Sequence, residues 1–486
     1  CKPDIVPQRK SRWKDAIPQV VASCIAHSIV IQAGVSMAYS AVLLPQLTEP
    51  GSSPTATKDE CSWIASLVTI GTLVGSMITG PLMDRFGRKT TCQLSCVPLI
   101  VAWMMVFLAH NVEMLYVGRL LAGMGGGLST VALVYVSEVT YPTIRPMLLC
   151  LNSVFVSFGI LLTCVLAQWF TWRIMAVWFA SLISCTFLAL WLIPESPHWL
   201  ATYKHKRRDH IETSVKWLNR RPQRYQQELA TLLETCQQQT DLPKPEEKFS
   251  KRFTKSFLTS STLKPVIILI FIFLFQQLSG GYVVIFYAVH VFKMVGGTFG
   301  EGFDEYDTLV LLGLIRFTMS IISAGASRRF GRRPLSILSG LGMCISTFIV
   351  GVYLHLKPVP YDGGFTSFRN NTEVVMTPEE ENWTCVVCVL LYVCFSSLGV
   401  LVIPWTLIGE LLPIKIRGIG GGVMVGIAYV LMFIVVKSFP YILDITGTTG
   451  IFFIFSMMSL AGVAFVYIFL PETLGKTLKE IEDYFK

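Results

Sequence analysis

The chain has 486 residues, 52% of them hydrophobic and only 15% charged, with a mean hydropathy of +0.57. Soluble globular domains run nearer ~25% charged, so the composition excludes a soluble enzyme or binding domain and predicts an all-α integral membrane protein. The formal charge of +9 is explained below by topology, and no nucleic-acid partner is expected.

The chain begins at Cys1 rather than Met, so the natural N-terminus is expected upstream. Residues 1–17 form a polar, basic tail that runs straight into a membrane-length apolar segment, without the pattern of a secretory leader. About twelve apolar runs then follow, each near the ~20 residues a helix needs to cross a ~30 Å hydrocarbon core. These spans are read at 18–45, 62–83, 91–110, 114–139, 147–170 and 172–193, then at 265–292, 308–327, 335–356, 383–411, 418–444 and 450–470. The basic segment 194–264 separates them into an N-terminal half (18–193) and a C-terminal half (265–470), and 471–486 is a C-terminal tail. Patterns such as "IETSVKWLNR" and "YQQELATLLETC" predict a small helical bundle in 194–264.

Charge fixes the orientation. With the N-terminus inside, the inner segments hold 32 of the 40 Lys and Arg residues and the outer loops about five. This is the positive-inside rule, and it places both termini in the cytoplasm. Two sequons, at Asn370 and Asn382, fall in the outer loop 357–382 and are candidate glycosylation sites. The 13 cysteines are scattered, and the Cys385–Cys388 CxxC reads as small packing residues. There is no Gly-rich phosphate loop, nucleophile elbow or metal-ligand spacing, so no catalytic residue, cofactor or metal is expected and an ATP-driven pump is disfavoured. The lipid bilayer and a small solute are the expected partners, with no obligate protein partner evident.

The two halves repeat one another at their inner ends. "GPLMDRFGRK" (80–89) matches "AGASRRFGRR" (324–333), "SEVTYPTIR" (137–145) matches "GELLPIKIR" (409–417), and "PESP" (194–197) matches "PETL" (471–474). Three matches in one order point to a duplicated six-helix unit, an architecture that places a solute site near the midplane between rocking halves.

Together with "GRLLAGMGGG" (118–127), "PESPHWL" (194–200), "FQQLSGGYVVIFYA" (275–288), "IPWTLIGELLPIKIRG" (403–418) and "PETLGKTLKEIE" (471–482), these segments resemble the sugar porter branch of the major facilitator superfamily. The resemblance covers nearly the whole chain. It is nearest in motif to insect trehalose and hexose facilitators and animal glucose facilitators.

The resemblance implies a cytoplasmic salt-bridge latch of Asp84, Arg85, Arg88, Arg119, Glu138, Arg145 and Glu195. Its second-half counterpart would be Arg332, Arg333, Glu410, Arg417 and Glu472. These pairs are expected to form when the transporter opens outward and to break when it opens inward. Three positions depart from the family pattern: Arg328 stands where many relatives carry an acid, His198 replaces an Arg, and Pro146 replaces a Gly.

The resemblance also implies a solute site containing Gln276, Gln277 and Trp405, with the paired glutamines alternatively acting as helix–helix hydrogen-bond glue. By register, Ser153 replaces a sugar-binding Gln, Tyr282 an Asn and Ser397 an acid, and Ala428–Tyr429 replace an Asn–Trp pair. Arg316 takes the place of a cavity Asn in span 8. A cation at mid-membrane is costly, so Arg316 is expected to face the aqueous cavity. Three roles stay open for it: binding an anionic group, donating to sugar hydroxyls, or satisfying helix carbonyls. Span 1 lacks the acid of proton-coupled relatives, Ala38 standing in its place, and His27 reads as a packed residue. Facilitated diffusion of a sugar at the plasma membrane is therefore expected, with a non-sugar anion transporter or a non-transporting sensor as alternatives.

Overall fold

The computed structural model describes residues 13–49, 51–141, 144–203, 208–219, 225–226, 229–230, 232, 260–295, 305–357, 383–412, 417–474, 480 and 484–485. Among them, ten helices are long and apolar enough to cross a membrane. Span 1 is Trp13–His27 continued through one 3-10 turn into Ile31–Thr48. Lys58–Phe86, Arg88–Phe107, Val112–Val139, Met147–Leu166 and Trp172–Leu192 follow as spans 2 to 6. Spans 8, 9 and 10 are Tyr306–Ser327, Arg332–Leu356 and Thr384–Leu411.

Two stretches differ from one simple helix per apolar run. Spans 11 and 12 run together as Arg417–Phe469, turned at Gly447 (φ 70, ψ 175). Span 7 is broken into Ser260–Leu278, Gly281–Phe286 and Ala288–Met294. The break falls at Gly280, whose φ of 84 is open to glycine but strained for other residues, and the Phe455 ring occupies the place a Cβ would take. With span 7 and the divided last helix counted, the twelve segments of a major facilitator fold are present.

The packing is two-fold. In the first half span 4 packs on spans 2 and 3, and span 1 on span 5; in the second, span 10 packs on spans 8 and 9, and span 7 on the helix of spans 11 and 12. The halves meet where span 2 touches span 11 and where span 5 touches span 8. Close approach inside a half depends on small residues, because lipid provides no hydrophobic drive for helix association. A Cβ on Gly71 would strike the backbone of Leu120, and one on Gly123 would strike Val68.

Outward faces carry exposed apolar side chains such as Leu188 and Leu192 (66% and 70% exposed), as lipid contact allows. Trp169, Trp191 and Tyr467 are exposed near helix ends, where amphipathic rings favour the interface.

Candidate functional site

The repeated motifs build two matching charge clusters. In the first, Arg88 Nε donates to Glu138 Oε1 at 3.0 Å, Nη1 donates to the Met83 carbonyl at 3.1 Å, and the backbone N–H donates to Glu195 Oε1 at 2.9 Å. Asp84 lies 3.4 Å from Nη1, and the Ser196 hydroxyl bonds Glu138. In the second, Arg332 Nε and Nη2 donate to Glu410 Oε1 at 3.1 and 2.8 Å, Nη1 donates to the Ser327 carbonyl, and the backbone N–H donates to Glu472 Oε1 at 3.1 Å. Thr473 takes the place of Ser196, its hydroxyl 2.6 Å from Glu410. Lys89 and Arg333 are equivalent too: each gives its backbone N–H to the terminal glutamate and its side chain to a carbonyl four or five residues before it.

Gly87 and Gly331 make both clusters possible. Their φ values are 100 and 83, and a Cβ on either would collide with the Glu195 or Glu472 carboxylate. Burial pushes the Glu195 carboxyl above the ordinary glutamate range, against the N–H groups of Lys89, Ser196, Thr90 and Arg88 that pull it down. Burial raises Glu472 as well, but four backbone N–H groups outweigh it and the net displacement is downward.

Several expected latch members stand elsewhere. Arg119 is fully buried and lies nineteen residues before Glu138 in span 4, about 28 Å along the helix at 1.5 Å per residue. Its guanidinium donates to the Ser36 carbonyl at 2.7 Å, to the Ser40 hydroxyl and to the Ile64 carbonyl at 3.3 Å, and it lies over the Tyr39 ring. It ties spans 1, 2 and 4 together at the end opposite the latch motifs. The resemblance grouped it with the latch, although "GRLLAGMGGG" opens span 4 and "YVSEVTYPTIR" closes it. Arg85 is exposed and stacks on Phe86 at 5.4 Å. Arg145 donates to the Thr140 carbonyl at 3.0 Å and meets no acid among the described residues. The side chain of Arg417 lies outside the described residues, as do Asn370 and Asn382.

Each described cluster is also built within one half. Among the described residues, polar contacts between the halves gather at the opposite end. Lys437 Nζ lies 2.7 Å from Asp59 Oδ1 and 2.6 Å from the Ser62 hydroxyl, Tyr441 bonds the same carboxylate, and Lys58 pairs with Asp444. Gln168 reaches Asp307 at 2.6 Å, and Gln46 reaches Tyr306 at 3.3 Å. The described latch pairs are thus intact while polar contacts join the halves at the far end. Pairs inside one rigid half need not open when the halves rock. The closing contacts escaped the sequence reading, because Lys437 and Asp59 are 378 residues apart and no motif marks either.

Midway between these ends, four expected solute-site residues come together. Trp405 Nε1 donates to the Tyr282 hydroxyl at 3.1 Å, and the Trp405 ring lies 5.6 Å from Tyr429 and 5.2 Å from Phe273. Arg316 is 7% exposed, and its electrostatic neighbours are Tyr282 of span 7 and Cys164 of span 5. No carbonyl or carboxylate among the described residues accepts a hydrogen bond from it, and its Nε is buried without a partner. That removes the carbonyl-satisfying role.

The other expected members are placed differently. Gln276 Nε2 donates to the Val400 carbonyl at 2.8 Å, and Gln277 Nε2 lies 3.5 Å from Gln276 Oε1, so the pair ties span 7 to span 10. Gln276 also lines a cleft between spans 7, 9, 10 and 12 whose lining includes none of Tyr282, Trp405 and Tyr429. Ser397 Oγ is buried without a partner, and no described hydrogen bond joins Ser153 or Ser397 to the central group. His27 is buried, with Nε2 3.1 Å from the Leu148 carbonyl and its ring packed on Phe155.

Two pseudo-symmetric halves, polar contacts joining them at one end and an aromatic group within the second half belong to a membrane transporter rather than an enzyme. The family model described as "Sugar (and other) transporter" matches residues 21–485, and the chain belongs to that family. It is 32% identical over 430 residues to the facilitated trehalose transporter Tret1 of Bombyx mori, covering 88% of this chain and 79% of that protein. Against the Aedes aegypti facilitated trehalose transporter Tret1 it is 30% identical over 466 residues, which is 96% of this chain but 54% of that longer protein. Among solved structures, the partially occluded inward-open xylose transporter XylE from E. coli superposes with a TM-score of 0.72 at 18% identity, covering 94% of this chain and 99% of that one. That likeness is one of fold.

Proposed function

We propose that this protein carries a sugar across the membrane by facilitated diffusion, with the two halves rocking about the Tyr282–Trp405–Tyr429 group. The observation that carries the reading is the asymmetry of closure: among the described residues, polar contacts between the halves gather at one end, while the charge clusters at the other are internal to each half. Such a molecule can exchange which side is open without breaking its stiffening clusters. By the positive-inside count the latch end and both termini are cytoplasmic, and the closed end faces outward at the plasma membrane, with Asn370 and Asn382 as outer glycosylation sites. Residues 1–17, 194–264 and 471–486 are then the cytoplasmic segments flanking halves 18–193 and 265–470. Stacked aromatic faces beside neutral hydroxyls suit the C–H face and hydroxyls of a sugar ring. The names of the relatives make trehalose and hexoses the first solutes to test.

The test is counterflow in proteoliposomes with labelled trehalose and glucose, using wild type and Trp405→Ala. Saturable flux without a proton gradient, reduced tenfold or more in the variant, supports the proposal. An absence of flux for every sugar tested, neutral or acidic, overturns it.

A further inference from the structure

Arg316 lies near the middle of the helix Tyr306–Ser327, with 7% of its surface exposed, where spans 5 and 8 bring the halves together. Three residues earlier Gly313 packs on Leu161 and Cys164, which seats this part of span 8 directly against the first half. Cys164 of one half and Tyr282 of the other are both electrostatic neighbours of Arg316. Its guanidinium can only donate, and among the described residues nothing accepts from it.

The neighbouring phenol presents a second unanswered donor. Tyr282 Oη already accepts from Trp405 Nε1, which leaves its own O–H to point elsewhere, and no described group takes it. The site is therefore rich in donors and carries one positive charge with no carboxylate as an electrostatic neighbour. A neutral sugar would leave that charge uncompensated in a low-dielectric site, whereas a ligand with one negative charge compensates it and fills the planar fork with two parallel hydrogen bonds.

We infer that the central site is selective for a sugar bearing a single carboxylate, such as a hexuronate, with Arg316 as the anchor for the carboxylate and Trp405 and Tyr429 as the platform for the ring. A carboxylate is favoured over a phosphate because Arg316 supplies one charge and no second cation is its electrostatic neighbour. This rests on the transport reading above and narrows its substrate class. The anchor lies between halves, so one ligand group would contact both as they exchange.

The experiment uses the full chain in proteoliposomes, with labelled glucose and glucuronate as solutes and glucuronamide and glucose 6-phosphate as competitors. In wild type, glucuronate should enter and should compete at least about tenfold better than glucuronamide, its neutral isostere, as expected for one charge-assisted pair. Arg316→Gln should lose glucuronate uptake tenfold or more and lose the preference for glucuronate over glucuronamide, and Arg316→Lys should be intermediate. The wild-type comparison of glucuronate with glucuronamide decides the matter even if the variants fail to fold. Glucose uptake that glucuronate does not inhibit would overturn the inference and leave the sugar reading standing. Stronger competition by glucose 6-phosphate would overturn the choice of a single carboxylate. Entry of neither glucose nor glucuronate would overturn both this inference and the reading beneath it.

Discussion

The ammonium of Lys437 lies 2.7 Å from the Asp59 carboxylate and 4.3 Å from the centre of the Trp63 ring, joining span 11 of one half to the start of span 2 in the other. Asp59 is 63% exposed at its side chain, so the ion pair alone is worth only about 0.5–1 kcal/mol. The ring contact adds roughly as much. The contact is a bias on a conformational equilibrium, too weak to act as a bolt.

Removing it should favour the state open at that end. In a background without native cysteines, spin labels at Asn111 and Ile445 would report the separation of the two halves there. Lys437→Ala should raise the long-distance population roughly five- to thirtyfold relative to the short one, the equivalent of about 1–2 kcal/mol. An unchanged distance distribution would mean that this contact does not hold the halves.

The charge clusters should behave differently, because each is internal to a half. Glu138→Gln or Glu410→Gln leaves a half-buried guanidinium short of its carboxylate, at a cost of about 1.5–3 kcal/mol. The apparent Tm in detergent should fall for both variants, with less than a twofold change in the spin-label populations. A large population shift at unchanged Tm would make these pairs a gate instead of a stiffener.

Gly87 and Gly331 give a backbone test of the same clusters. Gly87→Ala and Gly331→Ala should each destabilise by about 1–3 kcal/mol, since a positive φ and a collision with a carboxylate act together. Gly80→Ala, where a Cβ meets nothing within 4 Å, should stay within about 0.5 kcal/mol. Equal Tm values for all three would contradict the cluster geometry.

The two terminal glutamates should respond to pH with opposite sign. The carboxyl of Glu472 sits below its unfolded value, so it contributes stability above the ordinary glutamate value of ~4.3 and loses it as pH falls through the folded value. The Tm penalty of Glu472→Gln should therefore be larger at neutral pH than in acid. Glu195 is displaced upward, so its contribution is present in acid and is lost as pH rises through the folded value. The penalty of Glu195→Gln should be larger in acid. Parallel pH trends in the two variants would reject the assignment.

The class of molecule, the number of spans, the repeat and the family were legible in the sequence. Each rests on local properties: apolar length, Lys and Arg bias, and short motifs that keep their spacing. The family resemblance implied that Arg88, Glu138 and Glu195, and Arg332, Glu410 and Glu472, belong to matching clusters, whereas which carboxylate each arginine meets came only from the structure. Arg119 was misplaced because it was carried over with the family's latch motifs, although it opens span 4 and Glu138 closes it. The resemblance put the glutamine pair in the solute site with helix–helix glue as the alternative, and the structure turns Gln276 onto a carbonyl of span 10.

The sequence by itself determined that this chain crosses the membrane as two related bundles, because burial in lipid demands apolar, internally hydrogen-bonded helices whatever their neighbours. Only the tertiary structure decided that Lys437 closes on Asp59, that Arg119 ties three helices by carbonyls and a hydroxyl, and that Arg316 stands between Cys164 and Tyr282 with no acceptor. Those outcomes depend on which helix faces meet across hundreds of residues, and no local pattern of hydropathy or charge encodes the rotation of one helix against another.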